Sequence, residues 1–191
     1  MADQQRDVIE VLEHDHREVE EMFAELETLR GASTEQAQTR RKELAEQVTI
    51  ELVRHSVAEE VLVYPQVEDK VGAEEVEHAR KEHAEAEDTL ARLERLDADD
   101  PGFDDELATL MGEIRHHIED EEGEMFAHMR RVMDPDDLRK LGGRVEAFKK
   151  VAPTRPHPNV PNTAVARTAA GPAASLFDRM RDLATGRGTG D

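Results

Sequence analysis

The chain has no cysteine in 191 residues, which excludes a disulfide scaffold, thiol catalysis, zinc-thiolate fingers and cysteine-ligated iron-sulfur clusters. Positive charge is scarce: 25 Lys and Arg stand against 45 Asp and Glu, a formal net charge of -20. A direct grip on the polyanionic backbone of nucleic acid, or on an acidic membrane surface, is therefore not expected. Long apolar runs are missing too, since no stretch approaches the roughly 18 residues of a membrane span. The opening MADQQRDVIEVLEHDH is charged throughout and lacks the apolar core of a signal peptide. The expected compartment is the cytoplasm.

Proline is rare in most of the chain. Residues 1–100 hold one, Pro65, while five of the eight (Pro153, Pro156, Pro158, Pro161 and Pro172) fall in the last 39 residues. This divides the chain into a helical body, 1–151, and an extended Pro/Ala/Gly-rich tail, 152–191, in which Leu176, Phe177, Met180 and Leu183 fit a short amphipathic helix near 174–184.

Apolar residues in the body recur at steps of three and four, the spacing of one helix face, and no window alternates as a strand does. Four long helices are predicted. The first runs from about Asp3 to Arg30, with Ile9, Leu12, His16, Val19, Phe23 and Leu26 on its inner face. The second runs from Ser33 or Thr34 to about Lys70 with Ala45, Val48, Leu52, His55, Glu59 and Leu62, and Pro65 should bend or end it. The third spans about Ala73 to Leu96 with Val76, Ala79, His83, Ala86, Leu90 and Leu93. The fourth opens at Asp100-Pro101 and carries Leu107, Leu110, Ile114, His117, Glu121 and Met125. Asp134-Pro135 then starts a shorter fifth helix, with Leu138, Leu141, Val145 and Phe148 interrupted by Gly142-Gly143. Short connections between long amphipathic helices give antiparallel neighbours. The fold class is all-α: an up-down-up-down four-helix bundle with the fifth helix packed on its outside.

Each inner face is interrupted by ionisable residues: His16, His55 with Glu59, His83, and His117 with Glu121. Both HxxxE pairs place their side chains on one helix face about 6 Å apart. Counting from the helix ends brings all six groups to one level of the bundle. The run HSVAEEVLVY from His55 matches HIEDEEGEMF from His117, with Tyr64 and Phe126 each nine residues after the His, and His16 and His83 hold equivalent places. An approximate two-fold repeat follows. A single core-facing His is most often a hydrogen-bonded structural residue. Two buried carboxylates with no Lys or Arg on the same faces, however, would cost several kcal/mol each without compensating charge. A metal supplies that charge. Four imidazoles and two carboxylates suit iron, manganese or zinc, and shared between two ions they leave positions for an oxo or hydroxo bridge and an outside ligand. His14, His78 and His116 fall off these faces, His128 lies toward the bundle end and His157 in the tail. Tyr64 is read as packing at the bundle end, with a hydrogen-bonding role beside the site as the alternative, and the acidic runs EVEE, EDEE and DADD as solvated faces.

The motifs DHR at 15–17, HSVAEE at 55–60 followed by Tyr64-Pro65, EH at 82–83 and HIEDEE at 117–122, in this order over roughly residues 5–150, resemble the hemerythrin-like, HHE cation-binding family. The resemblance implies a non-haem di-iron centre of two bridged iron ions. His16, His55, His83 and His117 would be its terminal ligands, and Glu59 and Glu121 its bridges. The spacing differs from the ExxH pairs of ferritin-like bundles. Oxygen carriers of the family have a fifth His four residues after the third-helix His; here that position is Glu87, and metal binding, hydrogen bonding and solvent exposure all stay open for it. Glu121 also stands near where carriers use Asp.

These departures bring the chain closer to bacterial hemerythrin-like proteins than to the carriers. The expected function is a redox-active protein that binds or reacts with oxygen, peroxide or nitric oxide, with catalase-like activity as one form of it. The alternatives are an oxygen or iron sensing module acting through a partner of the tail, iron storage or donation, and a metal that serves only to fold the bundle.

Overall fold

The computed structural model describes residues 6–158 and Asp178. Helix α1 (Val8–Thr28) starts from Asp7, whose side chain accepts from the Glu10 N–H while the Glu10 carboxylate accepts from the Asp7 N–H. This reciprocal cap sets the start of α1 at Val8. Thr34 caps α2 (Glu35–Ala58). The chain then continues through one wide, π-helical turn at Glu59–Val63 into α3 (Tyr64–Val71). Gly72, at φ 126°, makes the reversal into α4 (Ala73–Leu93), a backbone setting that favours glycine. Helix α5 (Phe103–Asp120) begins just beyond Asp100-Pro101, which form part of the preceding turn. It too passes through a π turn, Glu121–Met125, into α6 (Phe126–Val132). Asp134 caps α7 (Pro135–Lys149) with Pro135 in the first turn.

No strand occurs among the described residues. The chain is a helical bundle of α1, α2–α3, α4 and α5–α6, with α7 against α1 and α2. Two apolar clusters fill it. One gathers Ile9, Tyr64, Val67, Phe126, Met129, Leu138 and Leu141 at one end; the other gathers Phe23, Leu44, Leu52, Leu90, Phe103 and Leu110 toward the opposite end. The ionisable residues lie between them.

The two π turns are the main departure from the sequence reading, and they are placed alike, each opening on the Glu of an HxxxE pair. Pro65 lacks an N–H and tolerates a widened turn before it. The second π turn has Ala127 at the equivalent place, so proline is not the common cause. Their effect is rotational. At about 100° per residue, a position nine residues after His55 would come out on the opposite helix face. One extra residue in the turn swings it back, and both Tyr64 and Phe126 are fully buried, while Leu62, expected on the inner face, is only partly so.

Beyond α7, Ala152, Pro153, Thr154 and Arg155 are buried against the bundle. The carboxylate of Asp178 accepts from the backbone N–H groups of Thr154 and Arg155, and Arg155 pairs with Glu94 of the turn after α4 at 3.2 Å. Apart from Asp178, the short helix read near 174–184 lies outside the described residues.

Candidate metal centre

His16, His55, Glu59, His83, His117 and Glu121 converge in the middle of the bundle, none more than 7% exposed. The imidazoles form two pairs: the Nε2 atoms of His16 and His55 are 3.3 Å apart, and those of His83 and His117 are 3.2 Å apart. Glu59 Oε2 lies 3.1 Å from His55 Nε2 and 3.3 Å from His83 Nε2. Glu121 Oε2 lies 3.6 Å from His16 Nε2 and 3.5 Å from His117 Nε2. Each carboxylate thus reaches one imidazole of each pair.

The opposite edges of the rings are held by four further carboxylates. Asp15 faces His55 Nδ1 at 3.2 Å, Glu60 faces His83 Nδ1 at 3.1 Å, Glu82 faces His117 Nδ1 at 3.0 Å and Glu122 faces His16 Nδ1 at 2.8 Å. Each holder is the chain neighbour of a central residue on one helix and grips the imidazole of the next. The four contacts close a ring around the bundle that obeys the two-fold repeat. Glu122 closes EDEE, a run that read as a solvated face, and Asp15, Glu60 and Glu82 stood in the motifs with no role of their own; the visible signal was an acid directly beside four of the six central residues, His16, Glu59, His83 and Glu121. Carboxylates accept only, so each Nδ1 is the protonated nitrogen and each neutral ring turns an Nε2 lone pair inward. Facing lone pairs and carboxylate oxygens repel unless a cation lies among them. The spacing suits one: two ligands about 2.1 Å from a shared ion are about 3.0–3.4 Å apart at angles between square and tetrahedral.

The electrostatics make the same demand. Burial and the facing charge of Glu59 push the Glu121 carboxyl well above its ordinary range. Burial also opposes ionisation of Glu59, but His55 and His83 outweigh it and hold that carboxyl well below. Burial would lower His55, yet Glu59 and Asp15 bring it up to about 10, and Glu59 and Glu60 likewise bring His83 up to about 9. Burial takes His16 down to about 3 and lowers His117 as well. Without a metal, the buried carboxylates have only the facing imidazoles to compensate their charge. A bound cation would take over that role.

Two rings wall off the site toward the α3–α6 end. Phe126 stacks on His16 at 5.9 Å and Tyr64 on His83 at 5.7 Å. The two-fold breaks here, because Tyr64 brings a hydroxyl 3.4 Å from Glu59 Oε2 and 3.3 Å from Glu121 Oε1. Tyr64 therefore borders the site, and burial beside these carboxylates pushes its phenol well above the ordinary range. On the other side lies a cavity of about 30 Å³, with Val19, Leu52, Leu90 and Ile114 among its walls. That volume holds one or two water-sized molecules; the four imidazoles border it, so part of it is the space ions would fill.

Glu87 also borders this cavity. It is buried rather than solvent-facing, and its Oε1 accepts the backbone N–H of His157 at 2.7 Å. Of the remaining histidines, His14 pairs with Glu18, His78 and His116 with Asp120, and His128 with Glu75; His157 binds Asp178. None belongs to the central group. The sequence showed no cation on the inner faces; one arrives from outside them, as Lys149 of α7 reaches Asp15 Oδ1 at 2.7 Å.

Residues 7–129 match the family model described as the hemerythrin HHE cation binding domain, well over half of the chain. The chain belongs to the hemerythrin HHE cation-binding family. An uncharacterized hemerythrin-like protein of Schizosaccharomyces pombe is 30% identical over 172 residues, covering 88% of this chain and 82% of its own length. A DNA nickase of Nostoc is 24% identical over 146 residues; the match takes in 76% of this chain and 40% of the nickase. The crystal structure of an HHE cation binding domain-containing protein from Mycobacterium kansasii superposes with a TM-score of 0.62 at 24% identity, over 76% of this chain and 88% of that one. It shares the fold. The HHE family match and the buried His/Glu cluster together mark this chain as a metal-binding protein.

The ring of carboxylates yields a prediction. Glu122→Ala removes the holder of His16 from a half-exposed position with little packing to lose, and should weaken metal binding about 10- to 100-fold. Glu119→Ala, in the same acidic run but exposed, should leave it unchanged. Metal titrations of the two variants check this; equal affinities would remove Glu122 from any role at the centre.

Proposed function

We propose that this HHE protein holds two iron ions and uses them to bind or react with a small oxidant: oxygen, peroxide or nitric oxide. His16 and His55 would serve one ion and His83 and His117 the other, with Glu59 and Glu121 bridging. The observation that carries the reading is that each carboxylate reaches one imidazole of both pairs. Four neutral nitrogens and two carboxylates with no thiolate form a donor set suited to iron. When bound, the iron pair supplies electrons and Lewis acidity to a small ligand.

The chain's own residues do the rest. Asp15, Glu60, Glu82 and Glu122 keep the Nδ1 protons in place and so aim the Nε2 lone pairs. Tyr64, held protonated by its surroundings, offers an O–H donor on the side of Glu59 and Glu121. The apolar cavity beside the imidazoles excludes bulky substrates by size and admits molecules of two or three atoms. A buried, carboxylate-walled site in a chain of net charge -20 argues against DNA as the substrate, whatever the Nostoc relative does.

Iron reconstitution followed by metal analysis tests the reading. Two irons per chain are expected, and one or none would overturn it. The contact from Glu87 to the His157 N–H favours a second reading, in which the state of the centre is passed to the tail and on to a partner. Deleting residues 152–191 separates the two. Peroxide turnover should survive the deletion under the first reading, whereas under the second the deletion removes partner binding and the native chain shows no turnover to lose.

A further inference from the structure

Outside the centre, a broad groove runs between α4 and the second π turn. Its walls include Glu74, Glu75, His78, Glu82, Asp120 and Glu124, and neither Lys nor Arg lines it. Three of these side chains converge: His78 Nε2 is 3.2 Å from Asp120 Oδ2 and 3.5 Å from Glu82 Oε1, and one ligand atom from each lies within 4.8 Å of the others. His78 and Glu82 are one helical turn apart on α4, with Asp120 facing them from the end of α5. The groove leads inward. Its lining includes Glu121, a residue of the buried centre that is only 1% exposed. Glu82 spans both places, since its Oε2 holds His117 Nδ1 at 3.0 Å while its Oε1 faces His78.

We propose that His78, Glu82 and Asp120 form a second, outer site for a divalent cation, from which ferrous iron passes to the buried centre. The proposal rests on the iron-binding reading above. One imidazole and two carboxylates are a fit donor set for Fe²⁺, Mn²⁺ or Zn²⁺. Three protein ligands leave the remaining positions to water, so the ion stays exchangeable, as delivery requires. The surrounding carboxylates raise the local cation concentration. An ion on Glu82 Oε1 is one carboxylate away from the ring that orients His117.

The test uses the full-length chain and the double variant His78→Ala/Asp120→Asn, neither position being among the central six or the four holders. Iron-loaded protein is titrated with Mn²⁺, free ion being read by electron paramagnetic resonance. The native chain should take up one further Mn²⁺, and the variant should bind it at least about tenfold more weakly with unchanged iron content. In stopped-flow loading with Fe²⁺, the variant should fill about tenfold more slowly and reach the same final iron. Equal Mn²⁺ binding by the two proteins overturns the outer site, and loss of that binding with an unchanged loading rate overturns its delivery role. If the native chain takes up no iron, the buried-centre reading falls by itself; a Mn²⁺ ion that depends on His78 and Asp120 in the unloaded chain would still support the outer site.

Discussion

His55→Ala and His117→Ala should each lose bound metal and lower the thermal midpoint by many degrees. Each removes an imidazole in contact with a buried carboxylate and unseats its holder, Asp15 in one case and Glu82 in the other. Removing one partner of a buried charged pair costs about 3–5 kcal/mol, and the stabilisation from ligand binding is lost as well. His14→Ala, half-exposed beside Glu18, should do neither, and His157→Ala, which takes the imidazole from buried Asp178 at a distance from the centre, should keep its metal. Metal analysis and thermal denaturation of the four variants check the assignment. Equal metal content in all four would contradict it.

Gly142→Ala should destabilise the bundle without touching the centre. A Cβ there would stand 2.5 Å from the backbone oxygen of Arg6 and 2.8 Å from the backbone nitrogen of Val8. These are backbone atoms at the start of α1, which cannot turn aside as a side chain would, so α7 must move off α1. The cost belongs at or above the top of the usual range for overpacking, about 1–3 kcal/mol. Gly112→Ala in α5, with no atom within 4 Å of its Cβ, should instead add up to about 1 kcal/mol through helix propensity. Urea denaturation of the two variants reads both signs. A neutral Gly142→Ala would mean that α7 does not pack against α1 as described.

The features legible in the sequence were those that repeat. Inner-face spacing marked the helices, Thr34 and Asp134-Pro135 marked two of their starts, and six ionisable residues at core positions marked the centre. Gly142-Gly143 read as an interruption of the α7 face, although Gly142 is the point of closest approach to α1. The π turns were not legible, because periodicity assumes an unbroken helix and one added residue shifts everything after it. That shift moved Val63 and Tyr64 inward in place of Leu62 and turned Tyr64 from a packing residue into a neighbour of the centre. The holders Asp15, Glu60, Glu82 and Glu122 were hidden for a related reason. An acid next to a core residue reads as surface unless the neighbouring helix is known to bring an imidazole to it. Glu87 and the buried start of the tail depended on contacts between distant parts of the chain, which spacing within one helix does not carry.

The proposed centre holds two iron ions among six residues. The most direct measurement is the optical spectrum of the full-length chain loaded with ferrous iron without air, recorded before and after air is admitted. Near-ultraviolet charge-transfer bands of a bridged ferric pair should grow in proportion to two irons per chain and be absent from His55→Ala and His117→Ala. A spectrum of isolated ferric ions, or bands that persist in both variants, would contradict the two-iron centre.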